Sequence, residues 1–186
     1  MKNFLKYSIS LLFVLMAIFA FTGCEFGGKS SNSSSPTSLK ISNYDFTISI
    51  NGVQYSECRK ELVGGRYVIT AFYYDVSLTV TNKSTTESKI FDNDDLLFWN
   101  DDVESCNRTE GPAVIDLEKN KKSTVVVTYI LNLKDEKKIQ TSATASDLSN
   151  EIDRAEFNNN VRRNYAPTKL KCSYQLGKTY EITATK

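Results

Sequence analysis

Short segments in which apolar and polar residues alternate recur along most of this chain. Between 44 and 50, Phe46, Ile48 and Ile50 alternate with Thr and Ser. An apolar period of two, with aromatic and β-branched residues, is typical of a strand with one buried and one solvated face. Because the pattern reappears many times, the sequence predicts a mainly β protein. The predicted strands cover 44–50, 53–57, 66–82, 89–91, 96–99, 114–117, 124–133, 170–176 and 180–185.

Turn residues between these segments predict how the strands connect. Asn51-Gly52 is the favoured two-residue hairpin turn, because both positions tolerate a positive φ. Gly64-Gly65 predicts a further break. The apolar parity changes near Thr70-Ala71, which indicates a bulge. The segment 124–133 is apolar on both faces, so we expect it to be a central strand.

One segment has a helical period instead. Within 146–157, Leu148, Ile152 and Ala155 recur at helical spacing, and Ser146 is a candidate N-cap. Many short strands with one helical connection predict two antiparallel sheets packed face to face over residues 39–186. A closed barrel is the alternative, because the number of strands alone does not separate the two architectures.

The N-terminus has the order of an export signal. Lys2 and Lys6 precede an almost uninterrupted apolar run over 7–21, and Phe21-Thr22-Gly23-Cys24 follows. This order resembles the lipobox of bacterial lipoproteins. The resemblance implies that the Cys24 sulfur receives a diacylglycerol, that 1–23 is a signal peptide, and that Cys24 becomes the first mature residue. An uncleaved membrane anchor and ordinary secretion are the alternatives, but the apolar run is shorter than the ~20 residues that a spanning helix needs.

The residues after Cys24 predict a flexible connection. Over 24–38 the chain is rich in Ser and Gly and poor in apolar residues, so it cannot bury enough surface to order itself. We expect this tether to hold the folded domain near a membrane, in the cell envelope and outside the cytoplasm.

A second resemblance covers roughly the middle third of the chain. Its residues are Val76-Ser77-Leu78-Thr79-Val80-Thr81-Asn82, the aromatic segment Leu96-Leu97-Phe98-Trp99, the polar turn 118–122, and Val125-Val126-Val127-Thr128-Tyr129. This sequence is similar to the immunoglobulin-like domains of many small bacterial envelope lipoproteins. The resemblance implies an immunoglobulin-like β-sandwich in the envelope, and it implies no functional residue besides Cys24.

Charge and composition exclude several classes of function. The formal charge is +1, and it becomes −1 when Lys2 and Lys6 are removed. A nearly neutral domain has no electrostatic reason to bind nucleic acid. The chain contains no His, which excludes Ser-His-Asp and Cys-His catalysis and disfavours catalytic zinc. We therefore expect a protein that is not an enzyme and has no cofactor other than the lipid.

The remaining cysteines predict at most one disulfide. Cys58 and Cys106 lie in polar, turn-like sequence, so a bridge between them is one expectation. Cys172 alternates with apolar residues and is expected to be a buried thiol. Three free thiols are the alternative, because sequence does not determine pairing.

An acidic cluster surrounds the predicted strand 96–99. Hard cations such as Ca²⁺ bind several carboxylate oxygens, which makes the cluster a calcium candidate. The spacing is not that of an EF-hand, and the alternative is that these residues solvate turns. The calcium candidates are Asp92, Asp94, Asp101 and Asp102, with Asp95 and Glu104 nearby.

Three hypotheses for function follow from these observations. The first is a membrane-anchored lipoprotein with a non-enzymatic domain that binds an envelope protein or ligand, or has a structural role. The second is a surface binder of carbohydrate or of a host ligand, assisted by calcium. Exposed aromatic residues would serve such a binder, and Tyr73 is the best candidate because its parity is opposite to that of Phe72 and Tyr74. The third is a hydrolase that uses carboxylates alone.

The lipobox resemblance generates the first testable prediction. We expect the purified native protein to begin at Cys24, to carry a mass increase that corresponds to acyl lipid, and to enter the detergent phase of a detergent extraction. Mass spectrometry of the mature N-terminus measures the first residue and the acyl mass, and the detergent extraction measures the phase. A native protein that retains its first residues, or that stays in the aqueous phase, contradicts the prediction.

Overall fold

The longest pair of strands is a hairpin in the computed structural model, which describes residues 36–186. Strand β2 (Phe46–Val63) and strand β3 (Arg66–Asn82) run antiparallel. Val63 pairs with Arg66, so the predicted break at Gly64-Gly65 is the two-residue turn between the strands. The φ angles of the two glycines are 58° and 82°. A turn with positive φ at both positions matches the twist of a hairpin, and glycine adopts it without a Cβ penalty.

The hairpin predicted at Asn51-Gly52 is wrong. Strand β2 continues through these residues, because Ile50 pairs with Leu78 and Gly52 pairs with Ser77, which leaves Asn51 as an extra residue in a bulge. The Asn51 side-chain amide donates to Thr79 Oγ1 at 3.0 Å. The local preference of Asn-Gly for a turn loses to the long ladder that β2 forms with β3 on both sides of the bulge.

The bulge predicted near Thr70-Ala71 is confirmed. Arg59 pairs with Ala71 and Lys60 pairs with Ile69, so Thr70 is the extra residue on β3. Strand β3 also changes its second neighbour at this point. Its residues 71–81 pair with strand β8 (Lys122–Leu133), and its residues 66–69 pair with strand β9 (Ile139–Thr144).

The strands form three antiparallel sheets. The largest has six strands in the order β1-β2-β3-β8-β6, with β9 beside the far end of β3. Strand β8 pairs with β3 and with β6, which confirms its prediction as a central strand. A second sheet has the order β11-β10-β5, and β4 pairs with β7 in the third. The remaining bounds are β1 Leu39–Ser42, β4 Lys89–Asp92, β5 Leu96–Trp99, β6 Val103–Glu110, β7 Val114–Leu117, β8 Lys122–Leu133, β9 Ile139–Thr144, β10 Lys169–Tyr174 and β11 Tyr180–Thr183.

One hydrophobic core lies between the inner face of the six-stranded sheet and the two smaller sheets. Phe46 of the large sheet meets Phe91 of β4 with ring centroids 5.4 Å apart, and Phe91 stacks on Tyr174 of β10 at 5.1 Å. Phe98 of β5 meets Tyr129 of β8 at 5.2 Å. The mainly β, antiparallel architecture predicted from the alternating pattern is therefore confirmed.

Three tyrosines form a row across the inner face of the large sheet. Tyr55 of β2 pairs with Tyr74 of β3, and Tyr74 pairs with Tyr129 of β8. The Tyr74 hydroxyl donates to the Pro167 carbonyl at 2.7 Å, and the Tyr129 hydroxyl donates to the Asn93 carbonyl at 2.8 Å. Each hydroxyl thus connects the sheet to a segment on the opposite side of the core.

The described residues contain one α-helix, α1 (Glu151–Asn164). The helix predicted over 146–157 is displaced, because Ser146–Leu148 forms a single 3-10 turn. The N-cap is Asn150 and not Ser146: the Asn150 side chain accepts a hydrogen bond from the Asp153 N–H at 2.9 Å. The same side chain donates to Asp153 Oδ2 at 2.7 Å, so it stabilises the first turn twice.

The C-terminal residues close one edge of the large sheet. Thr185 N–H donates to the Val53 carbonyl, and Tyr55 N–H donates to the Thr185 carbonyl, at 2.8 and 2.9 Å. Strand β11 also meets the start of the described chain, because Thr183 N–H donates to the Pro36 carbonyl at 2.8 Å. Within residues 36–186, no helix is long and apolar enough to cross a membrane.

Gly111 offers a sharp test of this packing. Its φ is 87°, and an added Cβ would lie 2.7 Å from the Val126 carbonyl oxygen and 3.1 Å from Val127 Cα. We expect Gly111→Ala to lower the free energy of unfolding by about 2–4 kcal/mol, from backbone strain and overpacking. Denaturant unfolding measures this change.

The matched control is Gly52→Ala. A Cβ at position 52 meets no atom within 4 Å. We expect that variant to be neutral or more stable by up to about 1 kcal/mol, because Ala restricts the unfolded chain. Equal losses in the two variants would contradict the assigned backbone at Gly111.

Candidate functional site

A groove of about 790 Å³ lies between β9 and α1. Its volume is within the range of ~300–1,000 Å³ that is usual for ligand sites in proteins. One wall is formed by residues 140–143 of β9, and the other by the side of α1 that faces them. Both walls are mainly polar.

The wall formed by α1 is one stripe of the helix. Asp153, Glu156, Asn160 and Asn164 follow each other at intervals of three or four residues, so they share one face. The Asn164 side-chain amide donates to Asn160 Oδ1 at 2.9 Å. This bond fixes both amides in a row along the groove.

Contacts of α1 outside this stripe attach the helix to the β2–β3 hairpin. The buried Tyr55 hydroxyl donates to Asn158 Oδ1, and Asn158 Nδ2 donates to the Ser56 carbonyl at 3.1 Å. Phe157 meets Tyr67 with ring centroids 6.4 Å apart. Val161 is the one helix residue that is buried. A few specific contacts, and not a broad apolar face, therefore position this wall of the groove.

Lys60 of β2 covers the aromatic pair. Its Nζ lies 5.5 Å from the centroid of the Phe157 ring and 5.8 Å from that of the Tyr67 ring. A cation over an aromatic face contributes about 0.5–1 kcal/mol at a partly exposed site. The three side chains thus form one clamp that joins the helix to both strands of the hairpin.

The wall formed by β9 is irregular. Gln140 pairs with Val68 and Thr144 pairs with Arg66, so three residues of β9, 141–143, lie opposite Tyr67 alone. The Thr141 hydroxyl donates to the Tyr67 carbonyl at 2.7 Å and secures this bulge. The backbone of 141–143 therefore lies outside the register of the ladder.

Asp147 fixes the corner between β9 and the helix. Its Oδ2 accepts hydrogen bonds from both the N–H and the hydroxyl of Thr144, each at 2.8 Å. These bonds hold the pKa of Asp147 below its usual range, so the carboxylate stays ionised near neutral pH. The groove residues include three carboxylates, of Asp147, Asp153 and Glu156, and one guanidinium, of Arg163. Its lining is therefore net acidic.

The structure divides the predicted acidic cluster between the two ends of β5. Before the strand, Asp92 accepts from the Asp94 N–H at 2.8 Å, and Asp94 forms an ion pair with Arg108 at 2.8 Å. After the strand, Asp101 pairs with Lys171 and Asp102 pairs with Lys137, each at 3.0 Å. The four calcium candidates thus have separate partners, and in residues 36–186 no group of three metal-ligating side chains converges.

The remaining acidic residues near β5 also stay apart. Asp95 accepts from the Gln175 side-chain amide at 2.9 Å, and Glu104 is exposed on β6. Lys171 holds the pKa of Asp101 below its usual range by a side-chain hydrogen bond. Each of these contacts stabilises a turn or joins two strands at the surface.

The disulfide predicted between Cys58 and Cys106 does not form in this fold. Cys58 pairs with Phe72, Phe72 pairs with Leu131, and Leu131 pairs with Cys106, so two strands separate the cysteines. Three strand spacings amount to roughly 14 Å, whereas bridged Cα atoms lie within ~7 Å.

All three described cysteines are free thiols. Cys172 is buried, as predicted, and burial raises its pKa to about 12. Burial also raises the pKa of Cys106, to about 11, and the pKa of Cys58. Protonated thiols are weak nucleophiles, so these cysteines have the environment of structural residues.

The exposed aromatic residues differ from the prediction. Tyr73 lies half-buried on the outer face of the large sheet, opposite Ile130, and away from the groove. Tyr165 follows α1 and lines the groove with 44% of its surface exposed. Tyr73 was the exposed aromatic residue favoured by the sequence, and no sequence pattern pointed to Tyr165 in particular or to the amides of α1. Their signal was the spacing of polar residues at three and four in 153–164, which is visible only once the helix is placed correctly.

The predicted signal peptide 1–23, the lipidated Cys24 and most of the tether 24–38 lie outside the described residues. No protein-family model, curated protein or solved structure matches this chain.

The contact between Tyr55 and Asn158 can be tested directly. Tyr55→Phe removes the donor to Asn158, so we expect a loss of about 0.5–1.5 kcal/mol of stability. Because this bond attaches the helix, amide hydrogen exchange in α1 should be faster in Tyr55→Phe than in the wild type, whereas exchange in β3 should change less. Denaturant unfolding and residue-resolved exchange measure the two effects.

Tyr73→Phe is the matched control, since Tyr73 lies on the opposite face of the sheet. We expect it to change stability by less than about 0.5 kcal/mol. A Tyr55→Phe variant with unchanged exchange in α1 would show that this hydrogen bond does not hold the helix.

Proposed function

We propose that this chain is a membrane-anchored lipoprotein of a bacterial envelope, and that its 39–186 domain is a non-enzymatic binding module. In this proposal Cys24 carries the lipid and the tether 24–38 connects it to an immunoglobulin-like sandwich. The observation that carries the proposal is the N-terminal order of basic residues, apolar run, small residues and Cys24. The groove between β9 and α1 is the binding site.

Two features of the groove, and the composition of the chain, support a non-enzymatic binding module. It is open to solvent and lined by amides and carboxylates, which can orient a polar ligand by hydrogen bonds. Its helix wall is fixed by the contact between Tyr55 and Asn158. The chain has no His, so catalysis would require a different general base.

A surface binder of carbohydrate or of a host ligand is the second candidate. Asn160 and Asn164 offer amide groups to hydroxyls, and the exposed ring of Tyr165 offers a face for stacking. Calcium assistance would require Asp92, Asp94, Asp101 and Asp102 to leave their present partners. A carboxylate-only hydrolase is the least supported candidate. Its two carboxyl groups must flank the scissile bond, whereas Asp153 and Glu156 lie on the same helix wall.

Crosslinking in intact cells tests the proposed function. A photo-crosslinking residue in place of Asn159, which is exposed in the groove, should capture an envelope component. The same residue in place of Lys119, in an exposed turn away from the groove, should capture much less. Cys24→Ser should remove the acyl lipid from the protein, which mass spectrometry measures.

Two outcomes contradict the proposal. A Cys24→Ser protein that still carries acyl lipid would exclude Cys24 as the site of the lipid anchor. Equal crosslinking from positions 159 and 119 would exclude the groove as the binding site.

A further inference from the structure

The outer edge of β9 is an unpaired strand edge. Strand β9 pairs with residues 66–69 of β3 on one side. Strands β8 and β6, which follow β3 in the large sheet, do not extend as far as β9. Strand β8 ends at Leu133, and its partner there is Val103, the first residue of β6. In the part of the chain that the structure describes, no strand therefore continues beside the other edge of β9.

This edge lacks the residues that normally prevent strand addition. Edge strands are usually protected by charged side chains or by proline. Strand β6 has Glu104, Arg108 and Glu110, and β1 has Lys40. Strand β9 has the sequence IQTSAT, which contains no charged residue and no proline. Strand β9 therefore lacks the charged residues that oppose strand addition at β6 and β1.

The groove gives access to this edge. Consecutive residues 140–143 line it. Four consecutive residues contribute to the lining, so the groove runs along the backbone of this part of the strand. Strand β9 has β3 as its one paired neighbour among the described residues, so the N–H and C=O groups on its other side form no ladder.

The dimensions and charge of the groove select the occupant. A six-residue strand such as β9 is about 20 Å long, and a 14-residue helix such as α1 is about 21 Å long. An extended segment of about six residues therefore matches both walls in length. Its alternate side chains would face α1, where Asp153 and Glu156 favour Lys or Arg.

We propose that β9 accepts an added β-strand: an extended, cationic segment of a partner protein pairs with its outer edge while alternate basic side chains meet the carboxylates of α1. This inference rests on the proposed binding function of the groove and names the class of ligand. Main-chain hydrogen bonds supply affinity, and the acidic helix wall supplies the preference for basic side chains.

The experiment is selection from a displayed library of random peptides against the full chain without its signal peptide. We expect the enriched peptides to be extended sequences with Lys or Arg at alternate positions. N-methylation of alternate backbone amides should weaken binding by at least about tenfold, because it removes the donors to β9 without changing the side chains.

Two variants locate the site. Ser142→Pro removes a backbone N–H from the groove edge and should abolish binding. Glu156→Lys keeps the backbone and reverses one charge on the exposed wall, so it should weaken the binding of cationic peptides by about tenfold. This variant tests the site even if Ser142→Pro does not fold. Glu118→Lys, with the same charge change in an exposed turn, is the matched control and should bind like the wild type.

Several results would overturn the inference. They are a failure to enrich peptides, peptides that tolerate N-methylation, or peptides unaffected by Glu156→Lys. An oligosaccharide that binds the groove in place of peptides would also overturn it while leaving the proposed binding function intact. Self-association of the chain through β9 would also overturn it, because the occupant would then be a second copy and not a cationic segment of another protein. An absence of crosslinking from position 159 in cells, in contrast, would contradict the proposed function itself.

Discussion

The row of Tyr55, Tyr74 and Tyr129 is the contact on which the rest of the structure depends. Burial raises the pKa of all three hydroxyls, so they stay protonated and act as donors. A buried hydroxyl without a partner would cost free energy, and each of these is paired across the core. Their acceptors belong to α1, to the segment before β10 and to the turn before β5. The row therefore sets where three separate segments lie on one sheet.

The bulge at Thr70 has consequences beyond β3. It coincides with the point where β3 exchanges β8 for β9, so it separates the central part of the sheet from its far end. The far end packs against α1, where Phe157 meets Tyr67. The groove exists because β9 and α1 meet there without filling the space between them, and because only a few contacts attach the helix.

Sequence patterns predicted the site less well than the fold. The acidic residues around β5 were calcium candidates because they are close in the sequence. In the fold, β5 separates them into two groups, and Asp94, Asp101 and Asp102 form ion pairs with different cations. The bridge between Cys58 and Cys106 failed because polar sequence around a cysteine says nothing about which strands separate it from another. The groove was missed because the segment IQTSAT of β9 is small and polar, without the alternation that identified most of the other strands.

The sequence by itself determined the class of the fold, because alternation with period two is a local property that survives in any arrangement of strands. It also determined the bounds of β5 and β7, the bulge on β3 and the central position of β8. It misjudged Asn51-Gly52 and Ser146, where a local turn or cap preference of about 1 kcal/mol competes with a long ladder or a better cap. Only the tertiary structure decided which strands are neighbours, which carboxylates meet cations and where a strand edge stays open, because these depend on contacts between residues far apart in the chain.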